Sequence, residues 1–127
     1  MNAIEDHVNQ ISQLPKMDGC ALVQEDTGMV WHYSGQTKDI ERISEAVIEF
    51  WRIHQRLKVP LSSLGSLKSA AFSFSNQVVA LFPCSVSPPL VLVCITKKPP
   101  IDWSLWQPLI AGLNQALVDK HSKAASP

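Results

Sequence analysis

The run LVLVCI at residues 90–95 is the most informative segment for the fold of this chain of 127 residues. Successive side chains of a strand point to opposite faces of a sheet, so a run of apolar residues makes both faces apolar. A strand of this kind needs cover on both faces, which places it at the centre of a sheet with helices on each side. We therefore predict one domain in which helices sandwich a sheet.

Two further strands precede this one in the sequence. Leu67–Ser75 and Gln77–Cys84 are followed by the third strand, Leu90–Thr96, and short polar or proline-rich turns separate the three. Small polar side chains alternate with apolar ones in the first of these strands, which predicts a position at an edge of the sheet. The small face of this edge strand carries Ser69, Ala71, Ser73 and Ser75.

Three amphipathic segments predict helices. The first follows a capping-box pair at the start of the chain and ends at Leu14-Pro15. The second runs from Ile40 to Leu57 and is stopped by Val59-Pro60. The last begins with Asp102 as its cap, and Pro108 inside it predicts a kink or an irregular first turn.

A hairpin lies between the first two helices. Its strands, Cys20–Glu25 and Met29–Tyr33, are bounded by turn signals at Asp18-Gly19 and Asp26–Gly28. The complete order is helix, two strands, helix, three strands, helix. Residues 1–121 are predicted to form this single domain, because a chain of this length has no room for a second core, and residues 122–127 a disordered tail.

Composition narrows the classes of function. Eleven basic and eleven acidic residues leave no net charge, so neither nucleic acid nor anionic lipid is expected as a partner. The three cysteines show no paired spacing and the first residues lack a signal-peptide pattern, which favours reduced thiols in the cytoplasm. Residues 69–96 carry no formal charge, but serines and prolines interrupt them, so we expect strands and no membrane insertion.

The second helix is the strongest indication of function. Its apolar arc covers roughly 220°, against the roughly 100° that packing on one sheet face requires. The two candidate flanks are Ile48 with Trp51 and Ile53 with Leu57. One of them should face water in a single chain unless a loop or the tail covers it, and an exposed flank of this size indicates an interface.

Self-association would cover the exposed flank and pair the edge strand at the same time. A two-fold axis would let the helix meet its own copy and let the edge strand pair with its mate. We therefore predict a homodimer. Its interface is predicted to comprise Ile48, Trp51, Ile53, Leu57, Ser69, Ala71 and Ser73.

All three arginines lie on the predicted second helix. Arg52 and Arg56 are candidate contacts for a protein partner, because guanidinium groups suit carboxylates and phosphates. An arginine finger requires an exposed mobile loop, so direct catalysis on a partner is not expected.

Three segments carry a resemblance to a known family: DGCALVQEDTGMVWHYSG at residues 18–35, LGSLKSAAFSFSNQVVALFPCSVSPPLVLVCITKK at 64–98 and DWSLWQPLIAGLNQALVDK at 102–120. In this order they resemble the roadblock family of dynein light chains, over about residues 2–120. The resemblance implies an α+β sandwich of the profilin and roadblock type, with a five-stranded antiparallel sheet between helices. It also implies homodimers joined through the second helix and third strand, acting as scaffolds or regulators of Ras-like small GTPases.

A small-molecule sensing domain of the profilin or PAS type is the alternative. Trp31, Trp103 and Trp106 are bulky enough to line a pocket for it. Catalytic and nucleotide-binding motifs are missing from the sequence, and its histidines and cysteines lack metal-ligand spacing. The sequence therefore predicts a binding protein with no enzymatic activity, cofactor or metal.

Overall fold

The structure, a computed structural model, describes the backbone of residues 3–97 and 107–125 and the side chains of residues 3–97 and 107–120. Its helices are α1 (Ala3–Ser12), α2 (Ile40–Arg56), α3 (Lys58–Leu61) and α4 (Gln107–Ala125), with a 3-10 turn at Ser62–Leu64. Its strands are β1 (Met17–Gln24), β2 (Val30–Gly35), β3 (Ala70–Ser73), β4 (Gln77–Val86) and β5 (Pro89–Lys97). The predicted order of elements is confirmed, with two short helical turns added after α2.

The strands of the described chain form one antiparallel sheet in the order β2-β1-β5-β4-β3. The central strand β5 contains the LVLVCI stretch, and all six of these side chains are buried. At one edge, β3 pairs with β4. Both placements confirm what the apolar patterns predicted for these two strands.

Each face of the sheet has its own core. On one face α1 and α4 bury side chains such as Val8 and Leu113. On the other face α2 buries Ile48 and Trp51. Because side chains alternate along a strand, β5 serves both cores. Leu90, Leu92 and Cys94 face the first core, and Val91, Val93 and Ile95 face the second.

The Asp18-Gly19 pair lies inside β1, so the predicted turn at this position is wrong. The register of β1 against β5 shifts between Met17 and Gly19. The Asp18 carbonyl oxygen also accepts hydrogen bonds from the backbone N–H groups of Gln36 and Thr37, at 2.7 and 2.9 Å. A bulge therefore occupies this position, and bulges favour the same residue types as turns.

Helical structure continues beyond the point where the sequence predicted a stop. α2 ends at Arg56, but Pro60 lies inside the next short helix, α3. Proline is tolerated there because the N–H groups of a first turn have no partner within the helix. β3 is in turn shorter than the predicted strand Leu67–Ser75, because residues 67–69 and 74–75 are not in a strand.

α4 is described from Gln107 onwards, with Pro108 as its second described residue, so the kink or irregular first turn predicted at this proline stays a prediction. The predicted cap, Asp102, lies outside the described residues. The helix continues to Ala125, so residues 122–125 extend it where a disordered tail was predicted. Among the described residues, no helix has both the length and the apolar content needed to cross a membrane.

Candidate functional site

Three large apolar side chains form an exposed row on α2, which we call the α2 stripe. Phe50, Ile53 and Leu57 are 44%, 47% and 44% exposed. Their spacing of three and four residues places them on one side of the helix. Contiguous exposed apolar side chains of this size mark interaction surfaces more often than isolated ones do.

The apolar arc of α2 explains why the stripe is left outside the core. The side of the helix that carries Ser44, Ile48 and Trp51 lies against the sheet and is buried. Because the arc is wider than the contact with the sheet, its other side projects beyond the core. The α2 stripe is this uncovered part of the arc.

An aromatic contact joins the α2 stripe to the edge strand. The rings of Phe50 and Phe72 stack with their centroids 4.5 Å apart and an angle of 28° between their planes. Phe72 belongs to β3 and also packs against the core beneath α2. Phe74, immediately after β3, is 49% exposed. Apolar surface therefore continues from the helix to the edge of the sheet.

The outer edge of β3 adds hydrogen-bonding groups to this surface. β3 pairs with β4 from Ala70 to Ser73, and no described strand lies on its other side. An uncovered strand edge is a template for pairing with another chain. Ser69, Ala71 and Ser73 are all exposed here, and Ser69 and Ala71 face the α4 side of the sheet.

The structure places the predicted interface residues in two different environments. Ile48 and Trp51 are 0% and 4% exposed, so the expectation that they reach an interface needs correction. They pack against the sheet within one chain and leave no surface for a partner. Ile53 and Leu57 form the exposed flank of the helix, which the sequence left open as the other choice.

Sequence reasoning missed two aromatic residues of this surface. Phe50 precedes Ile53 by three residues and Leu57 by seven, and this spacing could have assigned it to the same stripe. Phe72 lies 22 residues away from its stacking partner in the sequence. No local pattern indicates a contact of that range.

The two candidate arginines also differ in their surroundings. Arg52 donates a hydrogen bond from Nε to the Glu25 carbonyl oxygen at 2.9 Å, and its guanidinium pairs with the Glu49 carboxylate. It thereby ties α2 to the hairpin of β1 and β2. Arg56 is exposed and has no hydrogen bond or ion pair with the described residues. Arg56 is therefore the more available of the two for a partner.

The cysteine thiols are in a poor environment for chemistry. Burial raises the pKa of Cys20 and of Cys84 to about 12, and that of Cys94 well above its ordinary value. Thiols with such pKa values stay protonated near neutral pH and are weak nucleophiles. Within the described residues, no group of three or more histidine, cysteine or acidic side chains is placed to hold a metal ion.

Trp31 makes polar contacts within the fold, and the cavity beside it is small. Its indole N–H donates to Gln24 Oε1 at 3.0 Å, and the Lys120 ammonium lies 5.4 Å from its ring centroid. The cavity beside it measures about 100 Å³, well under the roughly 300 to 1,000 Å³ of small-molecule sites. The other two tryptophans of the predicted pocket, Trp103 and Trp106, lie outside the described residues.

An antiparallel five-stranded sheet with helices on both faces defines the chain as an α+β sandwich. Neither a protein-family model nor a curated protein sequence matches it significantly. Its structure is similar to that of a roadblock/LC7 domain from Streptomyces avermitilis, with a TM-score of 0.74 at 11% identity over 96% of this chain and 98% of that one.

Two structures of MglB are also similar to this chain. MglB of Myxococcus xanthus has a TM-score of 0.70 at 13% identity over 94% of this chain and 95% of its own. A structure of MglB with a tetrameric arrangement has a TM-score of 0.71 at 10% identity over 89% of this chain and 86% of its own. The chain has the roadblock/LC7 fold, as its resemblance to that family implied.

Proposed function

We propose that this protein is a non-catalytic homodimeric module that binds other proteins and acts as a scaffold or regulator of a Ras-like small GTPase. One observation carries the proposal. The α2 stripe and the unpaired edge of β3 lie side by side, joined by the stacked rings of Phe50 and Phe72. A second copy related by a two-fold axis would cover both features at once.

The size of the stripe indicates what such a dimer requires. Full burial of a half-exposed side chain of this size is worth about 1 kcal/mol. A two-fold interface buries three such side chains from each copy, which contributes about 6 kcal/mol in total. This gain is at the low end of the roughly 4 to 15 kcal/mol that association costs. The stripe alone is therefore marginal. Pairing of β3 with its mate supplies the remaining stabilisation in the proposed dimer.

A Ras-like GTPase is proposed as the partner on the basis of the fold and of the family that the sequence resembles. The tetrameric arrangement described for one MglB structure is consistent with an assembly of several copies. Arg56 is the residue of this chain that we expect to contact an acidic or phosphate-bearing partner. The unpaired, protonated thiols support a location in the reducing cytoplasm.

The oligomeric state tests the dimer directly. Light scattering should give twice the mass of the chain for the wild type and the mass of one chain for Ile53→Asp. Val118→Asp is the matched control, because Val118 is 57% exposed on α4, away from the stripe. A monomeric wild type, or equal effects of the two substitutions, would contradict the proposed interface.

Disulfide trapping gives a second test that does not depend on destabilising the surface. Ile53 is the middle residue of the α2 stripe, so a two-fold axis there brings its two copies together. Ile53→Cys should form a covalent dimer under mild oxidation, whereas Val118→Cys should not. Both variants carry Cys84→Ser in addition, because Cys84 is partly exposed whereas Cys20 and Cys94 are fully buried.

The GTPase role needs a separate measurement. Purified protein would be mixed with the small GTPase of the same genome, and nucleotide hydrolysis and exchange would be followed with and without it. We expect Arg56→Ala to weaken the effect and Arg42→Ala, on the same helix, to leave it unchanged. A dimer that neither binds nor alters the GTPase would leave self-association intact and remove this role.

A further inference from the structure

A large groove opens where the sheet ends beneath the last turns of α2. Its volume is about 860 Å³, within the roughly 300 to 1,000 Å³ range of small-molecule sites. One wall is formed by α2 and α3, and another by the segment from Leu61 to Leu67. The hairpin ends of β1–β2 and β4–β5 complete the groove, which contains residues such as Glu25 and Pro89.

The core-facing side of α2 is apolar over the sheet and becomes polar where it reaches this groove. Trp51 lies on that side and is buried against the sheet. His54 and Gln55 follow it by three and four residues, so they continue the same side, and both line the groove together with Lys58 at the start of α3. A helix that only covered the sheet would carry apolar residues at these positions. The polar group therefore faces the groove for a reason other than packing.

These three side chains have no partners within the described part of the chain. His54 Nδ1 is buried without a hydrogen bond, and the ring is tilted by 46° against Trp51 with the centroids 6.1 Å apart. Gln55 makes no hydrogen bond there, and Lys58 has no carboxylate within ion-pair distance. Buried polar atoms in folded proteins are almost always bonded, so the unbonded Nδ1 of His54 needs an explanation, whereas the exposed Lys58 is simply available to a ligand.

Two of the other charged residues of the groove, Arg52 and Asp26, already have partners within the chain. Arg52 bonds the Glu25 carbonyl oxygen and pairs with Glu49, which itself lies outside the groove. The Asp26 carboxylate accepts a hydrogen bond from Gln24 Nε2 at 2.8 Å. The donors without a partner are those of His54, Gln55 and Lys58, and the carboxylates of Glu25 and Asp26 line the same groove. A monoanion is favoured over a dianion in this field.

We propose that this groove binds a small organic carboxylate with an apolar body. The ammonium of Lys58 pairs with the carboxylate, and His54 and Gln55 donate hydrogen bonds to it. The apolar body lies along Leu67 and the rings of Pro83 and Pro89 at the sheet end. The site lies roughly 120° around α2 from the stripe, given about 100° per residue, so it does not depend on the proposed dimer.

Binding of 1-naphthoate tests this site, with 1-naphthamide as a probe of the same shape and no charge. Calorimetric titration of the full chain should show naphthoate binding about tenfold more tightly than the amide, the size expected for a hydrogen-bonded ion pair. Lys58→Gln should remove that preference, whereas Lys68→Gln, an exposed lysine outside the groove, should retain it. Equal affinities for the two probes, or no binding of naphthoate, would overturn the proposal.

Two further variants assign the location of the bound probe. Ser66→Trp, at an exposed position of the groove wall, should fill the groove and abolish binding without disturbing the core. Ile53→Asp, which breaks the proposed dimer, should leave the affinity for naphthoate unchanged. Binding that survives Ser66→Trp or disappears with Ile53→Asp would place the probe elsewhere and reject the groove.

Discussion

Phe50 stacks on Phe72, with 4.5 Å between the ring centroids. The contact joins the helix that carries the exposed stripe to the edge strand of the sheet. Phe50 nevertheless remains 44% exposed, so one ring both stabilises the chain and contributes to its surface. A partner that covers this ring would find the helix and the strand already fixed relative to each other, which lowers the entropy cost of binding.

Removal of this aromatic stack should lower the free energy of unfolding as well as remove part of the exposed apolar surface. We expect a double-mutant cycle of Phe50→Ala and Phe72→Ala to give a coupling energy of about 0.5 to 1.5 kcal/mol, the range for aromatic pairs. Urea denaturation in the Ile53→Asp background measures it without a contribution from association. Strict additivity of the two substitutions would mean that the rings do not stabilise each other.

Trp51 should behave as a core residue. Trp51→Ala should lower the free energy of unfolding by about 3 to 5 kcal/mol, because the side chain is 4% exposed and its removal leaves a cavity. Val59→Ala serves as the control, since Val59 is 84% exposed and its truncation should cost less than about 0.5 kcal/mol. A stable monomeric Trp51→Ala protein would instead assign this side chain to an interface.

The strands were predictable because their patterns reflect the layers around them. The run LVLVCI is apolar at every position, and only the centre of a sandwich covers both faces of a strand. The alternation in the strand that ends at Ser73 likewise gives an edge position. These are local consequences of burial, so one sequence is enough to read them.

The exposed side of α2 was not predictable in the same way. An apolar arc wider than one contact shows that something lies uncovered but does not say which flank. Trp51 is buried because it shares a core with residues of the distant strands β1, β4 and β5. The pairing of Phe50 with Phe72 is equally non-local. The turn predicted at Asp18-Gly19 was wrong for another reason, since turns and bulges favour the same residue types.

Gly35 should tolerate no side chain. Its φ is +111°, and an added Cβ would lie 2.5 Å from Gly19 Cα and 2.7 Å from the Asp18 carbonyl oxygen. Gly35→Ala should therefore lower the free energy of unfolding by about 3 kcal/mol or more, from backbone strain and overpacking together. Gly65→Ala isolates the strain, because its φ is +91° and no atom lies within 4 Å of the added Cβ. Thermal unfolding of both variants should show the larger loss for Gly35→Ala.

The thiol of Cys20 should make stability depend on pH in the alkaline range. Burial raises its pKa from 9.0 to about 12, so the folded chain holds the proton that the unfolded chain releases above about pH 9. This contribution to stability is complete below pH 9 and is lost as pH rises from there towards 12, by about 1.4 kcal/mol per pH unit. Urea denaturation at a series of pH values measures the slope.

Cys20→Ala separates this thiol from Cys84 and Cys94, whose pKa values burial also raises, and from the lysines and tyrosine of the chain. The variant loses the contact between Cys20 Sγ and the Val8 carbonyl oxygen, at 3.2 Å, and is therefore less stable near neutral pH. Its loss of stability above pH 9 should nevertheless be shallower, because one group fewer releases a proton on unfolding. A parallel pair of curves would show that the thiol ionises equally in both states. Slow labelling of the native chain by a thiol reagent, and rapid labelling in urea, should accompany the shallower slope.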